Sequence, residues 1–294
     1  MNRFLLRLTQ IIFFALCLVL PCRANLQADA PDWWHSKTVT AAGYGLAPSG
    51  FDTPRQAQLF ARRAAQADCY RKLAAKARDI HISADITVGL QIDAGNIPLG
   101  KVNALIRDAE IISEQYDAFG NCTVVMRVPV FGIDHSLADC VFQSVDKQNF
   151  PAPTVNPAAQ GHYTGLIIDC SDFDLKPVLA PAIRNADNLA VYSYQYLDRD
   201  KVISSGVVDY AIKKSPALIG TRALLLDSAD AQIDVTRAGD NPLIIKAQAL
   251  SDDGTCPVVS ADDADKILAE NQASNFLDNG AVVFTSYRVG GLRA

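Results

Sequence analysis

Apolar and polar residues alternate without a break from Ile80 to Ile92, where every even position is apolar. A repeat of two residues is typical of a β-strand with one buried and one solvated face. The pattern therefore predicts one long strand over these residues. We expect Ile82, Ile86 and Leu90 to point from that strand toward the helix that covers its sheet.

The longest helical pattern runs over residues 53–80, which are rich in alanine and in positive charge. Asp52 or Thr53 is a suitable N-cap, and Pro54 suits the first helical position. Alanine has no atoms beyond Cβ, so we expect this helix to lie unusually close to its sheet. At about 100° per residue, the predicted buried face contains Leu59, Phe60, Ala64, Ala67, Tyr70, Leu73, Ala74 and Ala77.

The opposite face of this helix forms a basic stripe, made of Arg55, Gln58, Arg62, Gln66, Lys72 and Lys76. One interpretation is a solvated face, and the other is a contact surface for anionic lipid or an acidic partner. Cys69 falls in the stripe, so its thiol should be reachable unless a neighbouring loop covers it.

The remaining patterns complete an α+β chain. In the first part we predict a strand at 37–47, a short helix at 96–108, a hairpin at 109–131 that turns at Gly120-Asn121, and a helix at 133–145 that starts at Asp134. In the second part we predict strands at 163–170, 243–250 and 280–289, two strands within 189–211 joined by a turn at 198–200, and a helix at 260–277 capped by Ser260. Residues 218–234 fit either a helix or a strand.

A proline-rich stretch divides the chain. Residues 151–161 contain three prolines, a composition that favours extended backbone in linkers. We therefore predict a domain at 31–147, a linker at 148–161 and a second α+β domain at 162–290. Both domains are expected to be mixed α/β layers, the first built from the long alanine-rich helix on an antiparallel or mixed sheet.

The first residues have the pattern of a secretory signal peptide: Arg3 and Arg7, then an apolar stretch at 11–20, then small residues. We predict a signal peptide at 1–24, with cleavage as late as 30, and a periplasmic or exported protein that can associate with the outer membrane. Leu16 and Pro21 precede Cys17 and Cys22, where lipidation requires a small residue, so we expect no lipid anchor.

Removal of residues 1–24 takes three arginines and no acid, which leaves 24 basic and 32 acidic side chains and a net charge of −8. Such an acidic chain is a poor ligand for nucleic acid. Five cysteines then remain, Cys69, Cys122, Cys140, Cys170 and Cys256. Export permits disulfides, and the two cysteines of the second part, Cys170 and Cys256, are the pair we predict.

The sequence shows no catalytic motif. A GxSxG elbow and an HExxH pair are absent, and His35, His81, His135 and His162 are scattered. Asp169, Asp172 and Asp174 follow a strand, but their spacing is not that of a calcium loop, and acidic turns are usually solvated. We therefore predict no enzyme and no catalytic, cofactor-binding or metal residues.

"PDWW" followed by "AAGYGLA", "ARRAAQADCYRKLAAKA" and an alternating strand resembles the bacterial LPP-type envelope lipoprotein domain, over residues about 31–132. That domain also begins the flagellar assembly protein T. The second part resembles the C-terminal region of uncharacterised exported bacterial proteins. The resemblance implies a non-enzymatic envelope protein that contacts envelope proteins or itself, in a surface or flagellum-associated assembly. The alternative is a soluble periplasmic module that binds a ligand in the cleft between its two domains.

Overall fold

A computed structural model describes residues 33–50, 53–143, 147–155, 157–212 and 235–286. Its described helices are α1 (Trp33–Ser36), α2 (Pro54–Arg78), α3 (Val88–Asp93), α4 (Leu99–Arg107), α5 (Leu137–Val141), α6 (Arg199–Ser205) and α7 (Ala261–Ser274). Its described strands are β1 (Thr38–Gly45), β2 (His81–Ser83), β3 (Ile86–Thr87), β4 (Glu110–Tyr116), β5 (Cys122–Pro129), β6 (Gly165–Asp169), β7 (Ile183–Arg184), β8 (Ala190–Tyr192), β9 (Asp209–Ile212), β10 (Pro242–Lys246), β11 (Ala249–Leu250), β12 (Pro257–Val258) and β13 (Val282–Ser286). The α+β class is confirmed.

The first sheet is antiparallel, with strands in the order β1-β5-β4. β1 and β5 alternate between buried and more exposed residues, as expected for a sheet covered on one face. The predicted hairpin is confirmed: β4 and β5 are joined by residues 117–121, and Gly120 has a positive φ of 83° in that turn.

Helix α2 lies on this sheet, as predicted, but it turns a different face inward. Thr53 caps the helix, because its side chain accepts the Gln56 amide hydrogen. The buried residues are spaced by four: Ala61, Ala65, Cys69, Leu73 and Ala77. The prediction was therefore right for Leu73 and Ala77 and wrong for Leu59, Phe60, Ala64 and Ala67, which are exposed.

Two glycines of β1 explain which face of α2 is buried. A Cβ on Gly43 would lie 2.5 Å from the Cys69 amide nitrogen and nearer still to the Ala65 carbonyl oxygen. A Cβ on Gly45 would lie 2.6 Å from the Ala65 amide nitrogen. The strand and helix backbones thus touch, and only the smallest side chains fit between them.

The long strand predicted for residues 80–92 is wrong. β2 and β3 form a short hairpin, and Thr87 then caps helix α3 by accepting the Leu90 amide hydrogen. Val88 and Ile92 are buried four residues apart, so an alternating pattern also matched one face of a helix. Ile86 and Leu90, expected to face the covering helix, are exposed.

The second part is built on a parallel sheet with strands in the order β10-β6-β13-β9. Its two central strands, β6 and β13, are buried at every residue, as the continuous apolar runs at 163–170 and 280–289 predicted. Helix α7 begins at the predicted cap, where Ser260 accepts the Asp263 amide hydrogen.

Three smaller predictions were wrong. The turn expected at 198–200 is the start of α6, which lies between β8 and β9. The strand expected at 243–250 is divided into β10 and β11. The helix expected from Asp134 begins only at Leu137, because Ser136 is the residue that caps it. The helix predicted at 96–108 is confirmed as α4, and residues 218–234 lie outside the described part of the chain.

The proline-rich stretch is held along α7 by two carboxylates. Asp265 accepts the amide hydrogens of Thr154 and Val155 at 2.6 and 2.8 Å. The buried Glu270 accepts those of Gln160 and Gly161 at 2.8 and 2.9 Å. Each acid therefore satisfies two successive backbone donors that the extended segment leaves without a ladder partner.

Pro31–Ala294 forms one compact unit. Within that unit, Lys37 pairs with Asp209, and Arg199 pairs with Asp139 at 2.6 Å. The backbone of residues 179–180 also donates to the carbonyl oxygens of His81 and Ile82, both at 2.9 Å. The predicted boundaries at 147 and 162 stay a prediction.

Candidate interaction surface

The outer edge of β1 is covered by side chains of α2. Lys76 donates to the Thr40 carbonyl oxygen at 2.8 Å, and Lys72 donates to the Ala42 carbonyl oxygen at 3.0 Å. Asp68 accepts the Tyr44 amide hydrogen at 3.2 Å. These three α2 residues are spaced by four, so they follow the strand one helical turn at a time. Backbone groups that an additional strand would need are therefore already bonded.

Asp68 also organises the cations around this edge. Its carboxylate lies 2.7 Å from Lys72 Nζ and 2.6 Å from an Arg71 nitrogen. The hydrogen bonds from Lys72 and Arg71, with the one from the Tyr44 amide, lower the pKa of Asp68 to about 2. Two residues of the predicted basic stripe, Lys72 and Lys76, thus make intramolecular hydrogen bonds that close the edge of β1.

The opposite edge of the sheet is open. β4 pairs with β5 on one side, and the described part of the chain supplies no strand on its other side. Six of its seven residues are exposed, and the exposed set includes Ile111, Ile112 and Tyr116. Ile112 is the extra residue of a bulge, since Ile111 pairs with Met126 and Ser113 pairs with Val125.

The two carboxylates of β4 are neutralised on opposite faces of the sheet. Arg62 of α2 donates to Glu114 at 2.8 Å, and Arg127 of β5 donates to Glu110 at 2.8 Å. The hydrogen bond from Arg62 lowers the pKa of Glu114. The open edge consequently carries little net charge, and apolar side chains lie between its two ion pairs.

The turn between β4 and β5 forms a fixed tip. Asp117 accepts the amide hydrogens of Phe119 and Asn121 at 2.8 and 2.9 Å and a side-chain hydrogen of Asn121 at 2.8 Å. The Asn121 side-chain hydrogen bond lowers the pKa of Asp117. Asn121 in turn accepts the Ala47 amide hydrogen at 2.9 Å, which ties the end of β1 to the turn. Phe119 is held 85% exposed at the apex.

None of the five described cysteines is in a disulfide, and all five are buried, so the predicted Cys170–Cys256 disulfide is not formed. Cys69 was expected in the reachable basic stripe, but it is fully buried against β1 and donates to the Ala41 carbonyl oxygen at 3.1 Å. Burial raises the pKa of Cys69 and also that of Cys122. A buried thiol with a raised pKa is poorly reactive.

The acidic turn after β6 does not gather a ligand set. Asp169 accepts hydrogen bonds from the amide and hydroxyl of Ser171, and Asp172 lies 2.7 Å from Lys246 Nζ. Across the described residues, no group of three or more histidines, cysteines and carboxylates is placed to hold a metal ion. His81 contacts the Ala84 carbonyl oxygen at 2.9 Å in the β2–β3 turn, away from these acids in the sequence.

A recess of about 280 Å³, including its open mouth, lies where the two predicted domains meet. It is lined by Phe142, Gln143, Tyr194, Gln195, Leu197, Arg199 and Val202. Its one charged lining residue, Arg199, is already bonded to the Phe142 carbonyl oxygen and to Asp139. Because this volume includes open solvent, the enclosed space is far smaller than that of typical ligand pockets.

Sequence reasoning missed both the closed and the open edge. The spacing of Asp68, Lys72 and Lys76 by four, together with two glycines in the neighbouring strand, was the available signal for the closed edge.

In the described residues, no helix combines the length and apolar character that crossing a bilayer requires.

Comparison with known protein families gives a match for the second part of the chain. Residues 165–286 match the model described as the second domain of Treponema pallidum Tp0624. No curated protein matches the chain. The matched residues are less than half of the chain and begin and end with the central strands β6 and β13 of the parallel sheet. The similarity thus concerns the second part alone, and the LPP-type resemblance of the first part stays a prediction.

Proposed function

We propose that this chain is an exported, non-enzymatic cell-envelope protein that acts through protein–protein contact at the open edge of β4. The observation that supports this most is the contrast within one sheet. The chain's own side chains cover β1, whereas β4 is exposed on both faces and, among the described strands, is paired on one side only.

An open edge offers a row of backbone donors and acceptors to an extended segment of another protein. Ile111, Ile112 and Tyr116 add apolar surface for that segment to bury. Because Glu110 and Glu114 are already paired with arginines, the site selects an uncharged, extended segment with apolar side chains. The Ile112 bulge twists the edge, which disfavours indiscriminate pairing and favours a partner shaped to it.

Export is supported by the basic and apolar pattern of residues 1–24, and the envelope is supported by the LPP-type resemblance. We expect cell fractionation to recover a shortened chain in the periplasmic or outer-membrane fraction. Recovery of full-length chain in the cytoplasm would contradict this part of the proposal.

The contact itself is tested by site-specific photocrosslinking in intact cells. A photoreactive side chain at the exposed Gln115 of β4 should give one discrete adduct, and the crosslinked peptide should come from an extended segment of an envelope protein. Ile112→Lys places a charge on the edge and should abolish the adduct. Leu189→Lys is the control, since Leu189 is also exposed to solvent but lies outside the first sheet.

An adduct that persists in the Ile112→Lys protein, or the absence of any adduct above that from a probe at Leu189, would overturn the β4 assignment. An adduct of twice the mass of the chain, with a crosslinked peptide that contains residues 110–116, would identify the partner segment as β4 of a second copy. That outcome would support the proposed contact site as self-association.

A further inference from the structure

Four large apolar side chains lie exposed around one end of the first sheet. Phe119 occupies the apex of the turn, and Leu46, which is 66% exposed, follows β1 beside Asn121. Leu59 and Phe60 are exposed on α2 next to Gln58, whose Cγ lies 3.5 Å from where a Gly120 Cβ would be. We call this set, Leu46, Leu59, Phe60 and Phe119, the apolar tip.

The apolar tip is held in place by hydrogen bonds within the protein itself. Three hydrogen bonds to Asp117 fix the turn, and the Asn121–Ala47 hydrogen bond fixes its position against β1. Helix α2 holds Leu59 and Phe60 on regular backbone. Docking through these side chains therefore requires little ordering of the chain.

Two cations of α2 lie beside the same tip with neither a carboxylate nor a carbonyl partner among the described residues. Of its seven positive side chains, five are engaged: Arg62, Arg71, Lys72 and Arg78 with carboxylates and Lys76 with a carbonyl oxygen. The other two, Arg55 and Arg63, have no carboxylate partner among the residues the structure describes. They lie one helical turn on either side of Leu59.

This arrangement suits a lipid surface better than a protein surface. A projecting phenylalanine would need a matching pocket in a protein, whereas fluid lipid deforms around it. Burial of apolar side chains among acyl chains, with arginines at the level of anionic headgroups, is the recognised basis of peripheral membrane binding. The chain is acidic as a whole, so a basic border around the tip also sets which surface approaches an anionic membrane.

We infer that the apolar tip, bordered by Arg55 and Arg63, docks this protein onto an anionic lipid surface. The four side chains enter the boundary between headgroups and acyl chains, and the two guanidinium groups pair with lipid phosphates. The contact is peripheral and reversible, and it leaves the open edge of β4 free for a protein partner.

Vesicle flotation tests the inference with the chain from Pro31 onward, which forms one compact unit and lacks the apolar leader segment. One set of vesicles is phosphatidylcholine, and the other is equimolar phosphatidylcholine and phosphatidylglycerol. We expect flotation with the anionic vesicles and little with the neutral ones. Phe119→Ser should lower the bound fraction about ten-fold, from the loss of one buried aromatic side chain, and Arg55→Gln with Arg63→Gln should remove the preference for anionic lipid.

The control variant is Leu189→Ser, because Leu189 is 65% exposed, much like Leu46, but lies in the second part of the chain. It should float like the wild type. Phe119→Trp should restore binding and give a blue shift in emission on anionic vesicles, measured as a difference from the wild type. Phe119→Ser should unfold at the wild-type temperature, since the side chain it removes is solvated.

No flotation with either vesicle, equal flotation with both, or wild-type flotation of Phe119→Ser would each overturn the inference. Loss of a purified protein partner on Phe119→Ser, without any vesicle binding, would assign the tip to a protein instead. Ile112→Lys should leave flotation unchanged, so failure of the β4 contact and failure of the lipid contact give different results.

Discussion

The two edges of the first sheet differ in how their backbone groups are satisfied. Along β1, side chains of α2 form hydrogen bonds with the outer edge of the strand, at the carbonyl oxygens of Thr40 and Ala42 and the amide of Tyr44. Along β4, ion pairs lie above and below the sheet, and the edge itself stays open. A sheet edge can thus be protected without charges or prolines in the strand, provided that a helix lies close enough for its side chains to hydrogen-bond to the strand backbone.

That closeness depends on glycine facing alanine. Gly43 and Gly45 let the α2 backbone touch β1, and Ala61 and Ala65 add no bulk between them. A helix held further from the strand would carry Lys72 and Lys76 out of reach of the β1 carbonyl oxygens. The closed edge is therefore a consequence of the close packing of α2 on β1. Different substitutions can test the packing and the lysine hydrogen bonds separately.

The largest effect is expected from Gly43→Ala. The new Cβ would meet backbone atoms of Ala65 and Cys69, which cannot move without displacing the helix. We expect the free energy of unfolding to fall by about 3 kcal/mol or more, at the upper end for overpacking. Urea denaturation followed by circular dichroism measures it.

Gly100→Ala is the matched control, because nothing lies within 4 Å of a Cβ at that position of α4. It should raise the free energy of unfolding by at most about 0.5–1 kcal/mol, the effect of glycine to alanine in the middle of a helix, because Gly100 lies in the first turn. Equal effects of the two substitutions would show that α2 does not lie as close to β1 as described.

A smaller effect is expected when the closed edge is opened without disturbing the packing. Lys72→Met with Lys76→Met keeps helix propensity and apolar stems but removes both donors to β1. We expect a loss of about 1–3 kcal/mol, from two hydrogen bonds of about 0.5–1.5 kcal/mol each. The freed edge should also make the protein self-associate, which sedimentation velocity detects.

The control is Arg55→Met with Arg63→Met, which removes the same charge from the same helix but no contact with β1. It should leave stability and sedimentation unchanged in the absence of lipid. If this variant self-associates as strongly as the lysine variant, lost charge rather than an opened edge is the cause.

The sequence predicted elements well where one interpretation matched the pattern. Continuous apolar runs gave the central strands β6 and β13, and an N-cap with a following proline gave the start of α2. The strand prediction for residues 80–92 was wrong because Val88 and Ile92 fit both the two-residue repeat of a strand and the four-residue spacing of a helix face. The cap at Thr87 was the signal that decides for a helix.

The buried face of α2 could not be predicted from hydrophobicity. Leu59 and Phe60 are more apolar than Ala61 and Ala65, yet the glycines of β1 admit only the alanines. The pairing of Lys76 with Thr40 joins residues 36 positions apart, and no periodic pattern encodes such a contact. The open and closed sheet edges depend on such contacts between elements, which could not be predicted from the sequence pattern.

The smallest effect is expected from acid titration of the closed edge. Hydrogen bonds from Lys72 and Arg71 and the Tyr44 amide lower the pKa of Asp68 from 3.8 to about 2. A group whose pKa is depressed in the folded protein contributes stability above its unfolded pKa and loses it as the pH falls through the folded value. The contribution of Asp68 should therefore be complete above about pH 5 and vanish only below about pH 2. Its size should be below about 1 kcal/mol, because the ion pairs are largely exposed.

Asp68→Asn isolates this contribution from those of Glu114 and Asp117, whose pKa values are also lowered. The difference in free energy of unfolding between wild type and variant, measured by urea denaturation across this pH range, should shrink steadily as the solution is acidified. A difference that stays constant with pH would mean that the Asp68 carboxylate does not hold Lys72 and the Tyr44 amide together. The closure of β1 would then rest on the two lysine–carbonyl hydrogen bonds alone, and the contrast with β4 would be one of geometry rather than of charge.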